Sequence, residues 1–225
     1  MRITGGGDVL VGKTTGAFAT DGIGLLSDGR GTFTATSTES LVVWRNGTDG
    51  TLVEFVHAGT VEGTISVSGS TVSYNGGHLA RWAQTEDNTR IEILKGTVMS
   101  NLDKMAEWID PETGEPQENE QLNCMKISDV EGDPNVAGVF VNWDEDDDVF
   151  TNDMNIAMTG DLIIRIAQGV SVQRGDLLMS AGDGTAKPQG DDIIRSKTIA
   201  KVTSTHVTCT YDDGSYCVPC VVMAC

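Results

Sequence analysis

The densest run of chemically active side chains is Asp144-Glu145-Asp146-Asp147-Asp148, bracketed by Trp143 and Phe150. Five adjacent carboxylates repel one another, so the run is either a solvated loop or a site for a hard cation. Asp144, Asp146 and Asp148 are the candidate ligands, and Ca²⁺ or Mg²⁺ are the ions that such oxygen donors suit. No other cofactor is expected. The EF-hand pattern is not met, because its sixth and twelfth positions require Gly and Glu, and here they are Val149 and Asn155. The same stretch supports a second chemistry. Trp143 and Phe150 supply stacking surfaces and the carboxylates of Asp144, Asp146 and Asp148 supply acceptors, a combination suited to sugars.

Other motifs carry less. Gly7-Asp8-Val9-Leu10-Val11-Gly12-Lys13-Thr14 fits the phosphate-loop pattern residue for residue. That chemistry needs a buried strand before it and a helix after it whose first amides hold phosphate. Only six residues precede Gly7, and the stretch from Thr15 to Gly22 is a poor helix, so no nucleotide site is expected. Cys217-Val218-Pro219-Cys220 has metal or redox spacing, with His206, Cys209 and Cys225 as further ligands on paper. The valines around it argue instead for an apolar strand whose alternate residues face opposite sides, holding buried, reduced thiols. Arg174-Gly175-Asp176 and Asn46-Gly47-Thr48 read as turns. The Ser27-Asp28 and Ser128-Asp129 bonds lie away from the junction of the chain's two regions, where self-cleavage would be useful, and Asn75-Gly76, which lies at that junction, is chemically labile without being catalytic. His57, His78 and His206 are too dispersed for a Ser/His/Asp or Cys/His set to be read from spacing, so no catalytic residue is expected.

The elements that must position these residues fall into two regions. Residues 1–77 hold 16 of the 27 glycines and no Pro or Cys; residues 78–225 hold all five Pro and all five Cys. The first region reads as short strands and tight turns. Thr64 to Asn75 alternates apolar and polar on both sides of Gly69-Ser70, a pair suited to a type II′ hairpin turn. Asn46-Gly47 and Asp49-Gly50 mark turns between Leu41-Val42-Val43-Trp44 and Thr51-Leu52-Val53-Glu54-Phe55. Hairpins with so few large apolar residues cannot offset their own ordering entropy. Association is the physical remedy, with three chains each supplying one face to a shared core.

The second region is also strand-rich. Strands are expected at Val136 to Trp143, Leu162 to Ala167, Leu177 to Met179, Ile199 to Val202 and Val218 to Met223. Gly160-Asp161 and Gly175-Asp176 are both expected as turns that feed a strand. Ser100-Asn101-Leu102-Asp103 resembles a capping box, and Leu102, Met105, Ala106 and Ile109 keep helical spacing, which predicts one helix there. The fold class is therefore all-β: an intertwined trimeric β stalk over 1–77, then a small antiparallel barrel or sandwich over 78–225 with at most one or two short helices.

Charge narrows the partners. The net charge of -18 is uneven: residues 1–77 contribute 4 cations and 7 anions, or -3, and residues 78–225 contribute 11 and 26, or -15. Such a field repels phosphate backbones, so nucleic acid and anionic membranes are poor partners. No apolar run reaches the 18 residues of a membrane span, and Met1-Arg2-Ile3-Thr4 lacks the apolar segment of a signal peptide.

Residues 7–34 (GDVLVGKTT…DGIGLLSDGRGTFT) and 53–75 (VEFVHAGTVEGTISVSGSTVSYN) resemble the stalk of phage tail-fibre proteins. Downstream, Ile93-Leu94-Lys95-Gly96-Thr97-Val98, Val136-Ala137-Gly138-Val139 and Arg174-Gly175-Asp176-Leu177-Leu178 resemble the β tip domains of the peptidase G2 type of intramolecular chaperone. The chain lacks the Ser-Asp-Xaa-Arg-Leu-Lys motif of the commoner chaperone type. The resemblance implies a homotrimeric, structural virion component made in the host cytoplasm, joined to other tail or fibre proteins, whose distal part contacts a host cell-surface receptor. Under this reading it is no metabolic enzyme, and Trp143, Asp144, Asp146, Asp148 and Phe150 are the receptor contacts. Two alternatives stay open: a self-cleaving chaperone domain, and a head decoration or fibre protein of the same architecture.

Overall fold

The computed structural model describes residues 1–110, 113–144 and 152–223. Among these the protein is all-β, with no helix. In chain order the strands are β1 (Arg2–Ile3), β2 (Val9–Val11), β3 (Gly22–Leu25), β4 (Gly31–Thr34), β5 (Gly50–His57), β6 (Thr60–Ser68), β7 (Thr71–Asn75), β8 (His78–Ala83) and β9 (Val98–Ile109). There follow β10 (Pro116–Ile127), β11 (Val136–Trp143), β12 (Met154–Ile166), β13 (Leu177–Ser180), β14 (Ala186–Pro188), β15 (Ala200–Val202), β16 (Cys209–Thr210) and β17 (Tyr216–Met223). The chain divides into two compact units, Met1–Asn75 and Gly76–Cys225.

In the first unit, β1 to β4 form one antiparallel meander and β5 to β7 another. The β6–β7 hairpin closes at Gly69-Ser70, with Ser68 opposite Thr71. Only Gly69 of that pair has a positive φ, 56°, as a type II′ turn requires of its first central residue. Leu41 to Trp44, expected as a strand, lies outside every strand, and its four side chains are exposed. Without a partner strand, a β-branched run keeps its propensity and gains no ladder.

The second unit is built around β12. Its first half pairs with β8 on one side and β11 on the other, and β11 continues the sheet through β9 to β10. Its second half pairs with β17 from Thr159–Met223 to Ile166–Tyr216. From there the order β12-β14-β13-β15-β17 returns to β12 and closes a five-stranded barrel. One contact is parallel, Ile166 beside Ala186, so the barrel is mixed rather than purely antiparallel. Ile164, Ile166, Leu178, Ile199, Val202, Val218 and Val222 fill its interior. Met99, Met125, Phe140, Met154 and Ile156 form a second core beneath the β8–β11 part.

Two expectations are corrected here. Residues 100–109 are the body of strand β9, not a capped helix. The register between β9 and β10 slips between Glu118 and Asn123 and again between Asn123 and Met125. Each bulge breaks the two-residue alternation, and the broken alternation leaves Leu102, Met105, Ala106 and Ile109 at spacings that imitate a helix. Gly160-Asp161 is likewise not a turn before a strand but a bend inside β12. Gly160 sits at φ 104°, and a Cβ there would lie 2.7 Å from the Gly77 carbonyl oxygen, where β12 changes partners.

Candidate functional site

Three places hold side chains that the fold leaves free to act or gathers for a purpose. The first is the pair of sheets in the first unit. Cross-strand partners point to the same side, so the register fixes what each face carries. Ile3, Val9 and Leu25 stand in one row of the β1–β4 sheet, and Val11, Ile23 and Phe33 in the next. All six share one face, and five of them are large exposed hydrophobics. The opposite face is covered by the chain's own loop, which buries Leu10 completely. Lys13 lies on that covered side, its Nζ donating to the Ala17 carbonyl and the Thr32 hydroxyl, both at 3.4 Å. The phosphate-loop lysine is thus a buried structural cation, and the residues after it form no helix.

The β5–β7 sheet is divided in the same way. Val53, Ile65 and Tyr74 are aligned across three strands, with Phe55, Val67 and Val72 on the same side. Glu54, Thr64, Asn75, Ser66 and Ser73 occupy the other side, where the Asn75 amide donates to Thr64 Oγ1 at 3.0 Å and Ser66 Oγ at 2.9 Å. Phe55, Val72 and Tyr74 are 55%, 51% and 80% exposed. A water-facing side with no charge and six large apolar side chains is the signature of an uncovered interface.

The second place is the stretch after β11. Trp143, half-buried, ends that strand opposite Met154. Its ring meets Phe140 edge-on at 5.8 Å, and the Arg90 guanidinium stands 5.5 Å from its centroid. Arg90 also donates to the Asp144 carbonyl at 2.6 Å, and the Asp144 amide donates to the Asp153 carbonyl at 2.8 Å. Asp153, fully buried, accepts from Gln84 Nε2 and from Trp108 Nε1. Both stems of the acidic stretch are therefore anchored. Of the expected contacts and ligands, Trp143 and Asp144 are placed together; Asp146, Asp148 and Phe150 lie outside the described residues. Among the described residues, no three His, Cys, Asp or Glu side chains gather as a metal site. An open cleft beside Trp143 is lined by Ile93, Lys95, Phe140, Asn142, Asp144 and Asn155.

The third place is at the β16–β17 hairpin, where the Cys217-Val218-Pro219-Cys220 motif pointed to the cysteines but not to Arg165. Arg165 is buried in the barrel wall and donates to Thr97 Oγ1 at 2.8 Å, Ser215 Oγ at 3.0 Å and Asp213 Oδ2 at 2.5 Å. Hydrogen bonds from Ser215, reinforced by Arg165, hold the Asp213 carboxyl below its ordinary range. Tyr211 packs under the Arg165 guanidinium and donates to the Lys95 carbonyl at 2.8 Å. Cys217 belongs to this group, while Cys220 joins the barrel core. The two lie three residues apart in a regularly paired strand, hence on opposite faces, so they cannot grip one ion together. One signal was available in the sequence: Asp212-Asp213-Gly214 is a turn, and folding about it sets Cys209 against Cys217.

Comparison of the chain with protein-family models, with curated proteins and with solved structures finds no match.

Proposed function

We propose that this protein is the distal part of a phage tail fibre, in which residues 1–75 assemble three chains into a stalk and the following unit presents a receptor-contacting tip. The observation that carries the reading is the pair of sheets whose apolar faces are uncovered. Antiparallel sheets commonly pack one face on a core, and contiguous apolar surface left in water marks an interaction site. These faces carry no charge that would select a foreign partner, and each copy of the chain offers the same surface. Three is the number that the stalk resemblance implies.

In the tip, the anchored stems of the acidic stretch support a binding role, because loops held by a rigid β scaffold are where recognition residues concentrate. Arg90 lies against the Trp143 ring, so the indole is held in a fixed orientation rather than swinging freely. Such preorganisation suits weak, repeated contact with surface glycan, which a trimer presents three times. The assembly is tested by light scattering after size exclusion. The expected particle is three times 23.9 kDa, about 72 kDa. A well-folded particle of single-chain mass at micromolar concentration would overturn the proposal.

A further inference from the structure

Cys217 has a sulfur partner, and it is not the one that the Cys-Val-Pro-Cys spacing suggests. Cys209 in β16 and Cys217 in β17 are direct cross-strand partners, as are Thr210 and Tyr216. The hairpin between them is tightly closed, with the Tyr211 amide donating to the Ser215 carbonyl and the Gly214 amide to the Tyr211 carbonyl, both at 2.9 Å. The Cys217 thiol and the Tyr211 hydroxyl both donate to the Lys95 carbonyl, at 3.9 Å and 2.8 Å. Cys217 is fully buried, and Cys209 is partly exposed.

We propose that Cys209 and Cys217 are a redox pair that closes to a cross-strand disulfide when the protein meets a small-molecule disulfide. Directly opposed residues in antiparallel strands bring their Cβ atoms to about 4.5–5.5 Å, and a disulfide needs about 3.5–4.5 Å. The gap is closed by a small inward shift of β16. That strand has two residues, lies at the end of the sheet order and pairs with β17 alone, so it is free to make the shift.

The chemistry divides between the two sulfurs. Cys209 is the one that an external reagent can reach. It loses its proton to solvent and attacks the oxidant's disulfide; that S–S bond breaks, one thiol leaves, and a mixed disulfide forms on Cys209. Cys217 then loses its proton and attacks the Cys209 sulfur, and the second thiol leaves. Two protein thiols are oxidised, and one external disulfide is reduced to two thiols. Burial first, and then the neighbouring Cys209, push the Cys217 thiol up to about 12. It is therefore a poor first attacker, and its place directly opposite Cys209, not its acidity, makes it the resolving group. Cys124 and Cys220 are buried with no cysteine beside them in the register, and they stay reduced. This inference does not depend on the tail-fibre reading.

The test uses the intact protein, incubated with oxidised glutathione, unfolded under acid quench, alkylated and mapped by peptide mass spectrometry. The expected result is a Cys209–Cys217 linked peptide, with Cys124 and Cys220 fully alkylated. Cys217→Ser should stop the reaction at a glutathione adduct on Cys209, and Cys209→Ser should leave Cys217 free. A wild-type adduct on Cys209 that never closes would overturn the proposal. So would a link from either sulfur to any other cysteine, or complete alkylation of all the thiols after prolonged exposure.

Discussion

Arg165 is a buried cation that ties the barrel wall to the β16–β17 hairpin. Its side chain is 9% exposed, and it binds two hydroxyls and a carboxylate from two separate segments, Thr97 before β9 and the Asp213–Ser215 turn. Replacing it with Met keeps the volume but strips Thr97 and Ser215 of a charged donor and leaves Asp213 unmatched. Asp213 is half exposed, which lets water compensate in part. Arg165→Met is expected to cost about 2–3 kcal/mol, read from the urea midpoint. The pH dependence follows from the depressed Asp213 carboxyl. A carboxyl held below its unfolded value of about 3.9 adds stability above that pH and loses it as the pH falls through the folded value. The stability gap between wild type and Asp213→Asn should therefore be full at neutral pH and shrink below about pH 4. The acidic stretch makes a different prediction at this scale. Under the proposed tail-fibre role, exchanging Asp144, Asp146 and Asp148 for Asn removes charge with little change of side-chain size, and should lower adsorption of the protein to host cells at least about tenfold through lost avidity. Unchanged adsorption would leave the stretch as surface charge alone.

Strand β12 is the element that joins the two parts of the second unit, and one residue lets it do so. Gly160 adopts φ 104° with the Gly77 carbonyl and His78 Cα both at 2.7 Å from a built Cβ. Gly160→Val would impose backbone strain and a clash with main chain that has no room to yield. A loss of about 3 kcal/mol or more is expected in denaturant unfolding, against about 1 kcal/mol for Gly175→Ala, which meets no neighbouring atom and costs only through its φ of 100°. The sequence reads Gly160-Asp161 and Gly175-Asp176 alike, since both are a glycine and an aspartate before apolar residues. Only the second is a turn, and only tertiary pairing tells them apart. The same limit explains β9. A nearly continuous apolar run made β11 legible from Val136 to Trp143, residue for residue, because that strand is buried along most of its length. In β9, bulges against β10 scrambled the alternation into a helical spacing. Barrel strands β13, β15 and β17 were visible as short apolar runs, whereas β14, with Lys187 and Pro188, carried no such signal. At the site, the anchoring of Trp143 by Arg90 was hidden because 53 residues separate them in sequence. The Cys209–Cys217 pairing was hidden because attention goes to the nearer cysteine.

At the scale of the whole molecule the first unit poses an energetic problem that its own chain does not solve. Twelve apolar side chains line two faces, and the described residues of each sheet leave most of them in water. The opposite sides are satisfied within the chain, by buried Leu10 and Lys13 in the β1–β4 sheet and by polar contacts such as Asn75 to Thr64 and Ser66 in the β5–β7 sheet. The asymmetry therefore does not reflect a sheet that is solvated on both sides. Burying a residue such as Phe55 contributes about 1.5–3 kcal/mol, and every apolar position is repeated in each copy of a homotrimer. A charge introduced at Phe55 or Leu25 is repeated as well, which places three like carboxylates in one apolar core. Phe55→Glu and Leu25→Glu are each expected to shift the light-scattering mass from three chains to one at micromolar concentration. Glu54→Gln, on the polar side of β5, should leave the mass unchanged. Folding of the second unit provides the control, because its barrel core is complete within one chain. Near-ultraviolet dichroism from Trp82, Trp108 and Trp143 of the second unit should therefore survive in these variants. If Phe55→Glu and Leu25→Glu both keep the three-chain mass, the open faces are not the assembly surface, and the stalk reading fails even if the protein proves trimeric.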